Sequence, residues 1–253
     1  MGGREGGAAV TAATAVIPAR FAAERLPGKP LLDATGKTLI QHVWERVRLA
    51  RNISRVLIAT DDARVVEAVR GFRGEAVLTR ADHPSGTDRI AEAAAAIDSP
   101  IVVNVQGDEP EVDPAAIEQL VELARVTDAP VATLACPFDR ADPDDPARVK
   151  VVRDRAGYAL YFSRARIPFP RGGAGAPLLH VGMYAFRREF LLGFPALEPT
   201  PLEKIEKLEQ LRVLEHGHRI AVGLTAPGPG GIDTPDDYAA FVRRHAEECF
   251  GGS

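Results

Sequence analysis

The sequence predicts an α/β protein: a mostly parallel, doubly wound sheet with a smaller accessory β/α lobe. Three observations carry this reading. The first half alternates short, continuous apolar runs with segments whose apolar residues recur at helical spacing. The runs are apolar at successive positions, as strands covered by helices on both faces must be. The second half loses that rhythm and shows a hairpin signal, a glycine-rich loop and a leucine-rich helical stretch.

Residues 1–12 read as a flexible Gly/Ala leader. "TAVIPA" (14–19) is a buried strand, and "TLIQHVWERVRLA" (38–50) a helix with Leu39, Ile40, Val43, Trp44 and Val47 on its apolar side. "RVLIAT" is the second strand, followed by a helix N-capped by Asp62 and stopped at Gly71. "EAVLT" is the third strand, a helix runs from about Thr87, and "IVVNV" is the fourth strand. Asp113 caps the next helix, with Pro114 at its first position, and "VATLAC" is the fifth strand. After a boundary near 135–150, "VKVVRDRAGYALYFSRA" forms a hairpin around residues 154–157, and "HVGMYAFR" is a strand. "LEKIEKLEQLRVLEHG" is expected as one strong helix, with Leu202, Ile205, Leu208, Leu211 and Leu214 on one face and Gly217 closing it. Glu203 and Lys207 would pair on its solvated side. The last helix is capped by Thr234, with Pro235 next and Asp237 completing the box. The expected division is a flexible leader 1–12, an α/β core 13–140, an accessory lobe 141–230, and a turn and helix 231–250 that return to the core.

Composition narrows the function. The 253 residues are 45% hydrophobic and 26% charged, with a net charge of −4, so no global basic field attracts nucleic acid or an acidic membrane surface. No stretch approaches the roughly 18–20 apolar residues of a membrane span, and neither nucleic acid nor membrane insertion is expected. The opening residues lack a long apolar run, so no signal peptide is expected. Two distant cysteines, Cys136 and Cys249, suit a reducing cytoplasm better than a disulfide framework or zinc site.

Ligands of a doubly wound sheet sit beyond the C-terminal strand ends. "VIPARF" and "VNVQGDEP" are two such ends. After the first come Arg20, Arg25, Gly28 and Lys29, either a triphosphate cradle or a basic surface loop; no Walker A or GxGxxG pattern is present. After the fourth strand, Asp108, Glu109, Glu111 and Asp113 crowd together. Asp108 suits a hard cation such as Mg²⁺, Asp113 suits the helix cap, and the other two are supporting or exposed. Asp233 is either an ordinary turn before a helix or a second carboxylate for that cation. Arg80 and the Ser85–Asp88 stretch offer caps, hydroxyls and amides for a base or ribose, while His83 reads as structural. Arg164, Arg166, His180, Tyr184 and Arg187 enter or line strands from loops and suit a polyhydroxylated acid. No nucleophile with an adjacent base stands out.

Eight stretches in order, "IPARFAAERLPGKPL", "IATDD", "TRADHPSGTDR", "VNVQGDEP", "VKVVRDRAGYALYFSRARIP", "HVGMYAFR", "PLEKIEKLEQLRVLEHG" and "GIDTPDD", resemble the 3-deoxy-manno-octulosonate (Kdo) cytidylyltransferases across roughly residues 14–245. The resemblance implies a nucleotide-diphospho-sugar transferase-like fold and a Mg²⁺-dependent reaction in which CTP and Kdo give CMP-Kdo and pyrophosphate for lipopolysaccharide assembly. By motif, Arg20, Lys29 and Asp108 would be catalytic, and Arg20, Arg25, Lys29, Arg80, Ser85 and Gln106 would hold the nucleotide. Gln106, Arg164, His180, Tyr184, Glu209 and Gln210 would face the sugar. Asp108 and Asp233 would hold Mg²⁺. Family members are typically homodimers built through the second-half lobe. The loop "RIPFPRGGAGAPLLH" is a short, Gly-rich form of a variable segment. The alternatives are an enzyme for 8-amino-Kdo or another acid sugar, and a non-catalytic nucleotide-sugar binder. Sialic-acid enzymes share the layout but lack the "RLPGKPL" form.

Overall fold

The computed structural model describes residues 12–22, 26–138, 142–173 and 175–250. Most of the 1–12 leader and Arg25 lie outside the described residues. Among the described residues, nine strands form one sheet: β1 (Ala13–Ala19), β2 (Ile53–Thr60), β3 (Glu75–Leu78), β4 (Ile101–Asn104), β5 (Val131–Pro137), β6 (Lys150–Arg153), β7 (Ala159–Ser163), β8 (Leu178–Arg187) and β9 (Ile220–Leu224). The path is β3-β2-β1-β4-β8-β5-β9. The pairs β1–β2, β1–β4, β2–β3 and β5–β9 are parallel. Strand β8 runs antiparallel to both β4 and β5, and the β6–β7 hairpin branches from it.

Side chains of β1 alternate between two apolar layers, which is why the strand reads as continuously apolar. Ala15 and Ile17 pack with helices α1 (Leu39–Arg48) and α4 (Pro114–Val126), through Ile40, Val43, Ile117 and Leu120. Val16 points to the opposite face, against Ile90, Ala93 and Ala94 of helix α3 (Gly86–Ala94). Helix α2 (Ala63–Gly71) contributes Val65 and Val69 to the first layer. Helix α8 (Pro235–Phe250) is held on α1 by Phe241, Ile232 and Leu39.

The expected caps are present. Asp62 accepts from Arg64 N at 2.9 Å, Asp113 from Ala115 N at 2.9 Å, and Thr234 Oγ1 from Asp237 N at 3.2 Å. Ser85 caps α3, accepting from Asp88 N at 3.1 Å. The chain does not turn left-handed at Gly71: the positive φ falls at Arg73 (61°).

The second half differs from expectation in three ways. Strands β8 and β9 lie inside the main sheet, so the 141–230 span does not stand apart from it. Strand β9 and the short helix α5 (Arg188–Gly193) have no counterpart among the elements expected from the sequence. The long helix is two short ones, α6 (Pro201–Glu206) and α7 (Gln210–Glu215), broken at Lys207, whose φ is 55°. Ile205 is 77% exposed rather than part of an apolar face. Glu203 is buried and does not pair with Lys207: it closes a capping box with Thr200 and forms a two-pronged ion pair with Arg212 across the break.

Candidate active site

Three chain segments far apart in sequence are knotted together beyond the ends of β1 and β4. Gly28 takes a φ of 70° that costs a glycine nothing, and the turn starts a 3-10 segment at Lys29. Lys29 Nζ donates to Asp108 Oδ2 at 2.7 Å and to Ile232 O at 2.9 Å, and lies 3.6 Å from Asp233 Oδ1. Ile232 N donates to Asp108 O at 2.8 Å, docking the loop before α8 on the end of β4. Gly107 makes this approach feasible: a Cβ there would sit 2.6 Å from Pro18 O.

The four crowded carboxylates have separate fates. Asp108 faces Lys29, Asp113 caps α4, and Glu111 holds Arg244 of α8 through both oxygens. Glu109 is the outlier. Burial, with the Asp108 charge next to it, pushes its carboxyl up to about 7.

Two carboxylates from different segments thus converge on one ammonium. That tests their fit to a divalent cation: the pair already gathers positive charge, and two carboxylate oxygens plus substrate phosphates are the donor set Mg²⁺ prefers. Among the described residues no group of three or more His, Cys, Asp or Glu could hold a metal. Asp108 and Asp233 are the two carboxylates that would hold such an ion.

Beside this knot lies a cleft of about 690 Å³. Gln106, Arg164, His180, Tyr184, Glu209, Gln210 and Asp233 all line it, so seven of the expected site residues share one cavity. A bulge in β8 shapes its floor. Thr133 of β5 is opposite Tyr184, but Leu134 is opposite Val181. Thr133 Oγ1 donates to Met183 O at 2.7 Å and sits 2.9 Å from His180 Nε2. Burial pushes the His180 imidazole down to about 4, leaving it neutral at neutral pH. Burial, then the Glu209 charge, pushes the Tyr184 phenol up, so it stays protonated. Neutral donors and acceptors of this kind suit a polyol.

Opposite them, Thr87 Oγ1 of α3 donates to Glu209 Oε2 at 2.6 Å. Gln106 Nε2 reaches Gly182 O in the bulge at 3.4 Å. Arg164 lines the cleft while its guanidinium is engaged with main-chain oxygens of Pro146, Glu206 and Lys207. Of its five N–H groups these take three, leaving two for a ligand.

Arg20, Lys29, Arg80, Ser85 and Asp108 do not line this cleft. Arg20 is exposed at the end of β1 and donates to His83 O at 3.0 Å. Arg80 is exposed, 3.6 Å from Asp82 and 3.7 Å from Glu92. The Ser85 hydroxyl is engaged with Asp88 within the cap of α3. His83 is structural as expected, its ring on Glu92. Asn104, Thr133, Gly182 and Lys207 belong to the cleft or its support without having been assigned to it by sequence, and Thr87, expected to serve a base or ribose, faces Glu209 across the cleft instead. Asn104, Gly182 and Lys207 lie within the quoted motifs, whereas Thr133 carried no signal.

A twisted, largely parallel sheet whose strand ends converge on paired carboxylates, a lysine and a polar cleft defines a nucleotide-handling α/β transferase. The comparisons agree. A protein-family profile described as Cytidylyltransferase matches residues 14–220, and the chain belongs to that family. It is 52% identical over 244 residues to the 3-deoxy-manno-octulosonate cytidylyltransferase of Syntrophobacter fumaroxidans, covering 93% of this chain and 98% of the relative. It is 47% identical over 240 residues to the 8-amino-3,8-dideoxy-manno-octulosonate cytidylyltransferase of Shewanella sp. strain ANA-3, covering 92% and 98%. Its fold matches a solved CMP:2-keto-3-deoxy-manno-octonic acid synthetase complexed with CTP, with a TM-score of 0.90 and 43% identity, covering 94% of this chain and 99% of the other.

Proposed function

We propose that the protein transfers the cytidylyl group of CTP to Kdo, releasing pyrophosphate and supplying CMP-Kdo for lipopolysaccharide assembly in the cytoplasm. The observation that carries this reading is the junction of the Lys29–Asp108–Asp233 knot with a polar cleft whose His180 and Tyr184 are neutral. Relatives named for Kdo (52% identical) and for its 8-amino analogue (47% identical) both match, so the test carries both acceptors.

The anomeric hydroxyl of the sugar attacks the α-phosphorus of CTP in line, and the pyrophosphate oxygen leaves with the bonding pair. Both substrates are anions and repel, so the protein's work is positioning and charge compensation. Lys29 places an ammonium beyond the ends of β1 and β4, and Arg20, at the end of β1, adds a guanidinium to the phosphate side. Asp108 and Asp233 would hold Mg²⁺. When bound, that ion offsets phosphate charge and eases ionisation of the attacking hydroxyl. Gln106, His180, Tyr184, Glu209 and Gln210 orient the sugar by hydrogen bonds, Arg164 meets its carboxylate, and Arg25, Arg80 and Ser85 complete the nucleotide side. A homodimer built through the 141–230 span is the assembly the family resemblance implies, and light scattering checks it.

The test is pyrophosphate release from CTP with Kdo and with its 8-amino analogue, with and without EDTA, in the wild type and Asp108→Asn. Release with Kdo, abolished by EDTA and lowered at least about a hundredfold in Asp108→Asn, is expected. Release with the analogue alone moves the substrate. CTP binding without release from either acceptor refutes the enzyme in favour of a binder. Near-native turnover of Asp108→Asn refutes its place as a metal ligand.

A further inference from the structure

Glu206 ends α6 and lines no part of the cleft. Its carboxylate faces β7 instead. One oxygen accepts from Ser163 Oγ at 2.6 Å and from Tyr161 Oη at 3.4 Å, and the other accepts from Arg164 N at 2.9 Å. Its carbonyl accepts from Arg164 Nε at 2.7 Å. Burial opposes its charge, but these hydrogen bonds outweigh burial and hold the carboxyl below its ordinary range. Glu206 is therefore an anion locked to the backbone and side chain of its neighbours.

Two pieces of cleft wall hang on this residue. The first is Arg164, gripped at its backbone N–H and at its Nε. The second is the Lys207–Gln210 turn that follows directly, all four residues of which line the cleft. Lys207 holds a φ of 55°, a conformation that a non-glycine residue keeps only where its surroundings over-determine it. Part of that determination is visible: Arg164 Nη2 reaches Lys207 O at 3.4 Å, and Thr87 holds Glu209 from the other side. None of these bonds involves Lys29 or Asp108.

We propose that Glu206 is a positioning residue for the acceptor side of the reaction, setting Arg164 and the Lys207–Gln210 turn relative to each other. This rests on the acceptor sugar occupying the cleft. Glu206 touches no reacting atom, and its effect passes through those two elements.

The experiment is steady-state kinetics of Glu206→Gln with each substrate varied in turn, beside thermal melting. Glutamine keeps the shape but removes the charge, and its NH₂ cannot accept in place of the second carboxylate oxygen. The KM for Kdo is expected to rise about tenfold, with the KM for CTP within about twofold and the melting temperature within about 5 °C of wild type. Ser163→Ala removes a single donor to the same carboxylate, and its acceptor KM is expected to move the same way by a smaller factor. An unchanged KM for Kdo in both variants overturns the proposal. So do parallel shifts of both KM values with a falling melting temperature, the mark of a general structural role. If Glu206→Gln does not fold, Ser163→Ala decides: a wild-type acceptor KM refutes the role. A wild type inert toward Kdo and its 8-amino analogue overturns this proposal and the functional reading together. Normal wild-type turnover with unmoved acceptor KM in the variants overturns only the role of Glu206.

Discussion

Gly107→Ala is a one-carbon perturbation with a calculable collision. The new Cβ would lie 2.6 Å from Pro18 O, while ordinary contact begins near 3.4 Å, so one of the two backbones must yield by about 0.8 Å. Neither is free to yield. Pro18 is registered against Ala59 within β1, and Ile17 and Ile40 each stand 3.5 Å from the same position. Overpacking of this kind costs about 1–3 kcal/mol. At about 2–4 °C per kcal/mol for a chain of this size, the melting temperature should fall by about 2–12 °C. The functional loss should be larger. Asp108 is the next residue, and a displacement near 1 Å of a positioned group costs about a hundredfold in rate. Gly193→Ala, at a helical residue where nothing lies within 4 Å of the added carbon, is the matched control and should lower neither quantity. Differential scanning fluorimetry and pyrophosphate release measure both. A Gly107→Ala protein with wild-type melting and turnover would refute the argument that close approach of β1 and the β4 end builds the site.

Two further predictions concern the frame. Burial first, then the neighbouring His245, pushes the His42 imidazole down to about 4 from an ordinary 6.5. The unfolded chain therefore binds a proton that the folded one refuses, and stability is lost as pH falls from 6.5 toward 4, at up to about 1.4 kcal/mol per pH unit. His42→Gln should flatten the acid limb of the melting temperature against pH, and an unaltered limb would contradict this origin. Arg212→Leu leaves Glu203 buried without its partner and should cost about 3–5 kcal/mol in urea unfolding, with Glu203→Gln/Arg212→Met losing less. A single variant within about 1 kcal/mol of wild type would show that the pair is not part of the clamp across the helix break.

The first half of the chain was legible because its chemistry is local. Continuous apolar strands, Asp62 and Asp113 as caps, and carboxylates at a strand end each report their role within a few residues. The second half was less so. Residues 202, 205, 208, 211 and 214 share a strict spacing of three, which drifts about 60° per step around a 3.6-residue helix. Leu202 and Leu211 would thus face opposite ways on one straight helix, and the break at Lys207 resolves the conflict. Counting the drift would have revealed it. Other features were beyond local reading. Glu203 finds Arg212 only because the chain folds back, and the register of Tyr184 between Asn104 and Thr133 depends on which strand β8 chooses. Arg164 was expected to face the sugar, and much of its guanidinium also holds main chain, a partition that spacing cannot encode.

The antiparallel β8 has a consequence for how the protein is made. Strand β4 emerges from the ribosome well before its neighbour β8, which begins only at Leu178. At about 5–20 residues per second, the β4 edge waits on the order of ten seconds with its hydrogen-bonding groups unmatched. Strand β5 waits on the same arrival, since β8 is what joins it to β4. A nascent chain stopped between these points has β4 without its β8 neighbour, an open strand edge. The strand that closes this edge also brings His180 and Tyr184, so the nascent chain loses its open edge and gains the cleft floor in one event.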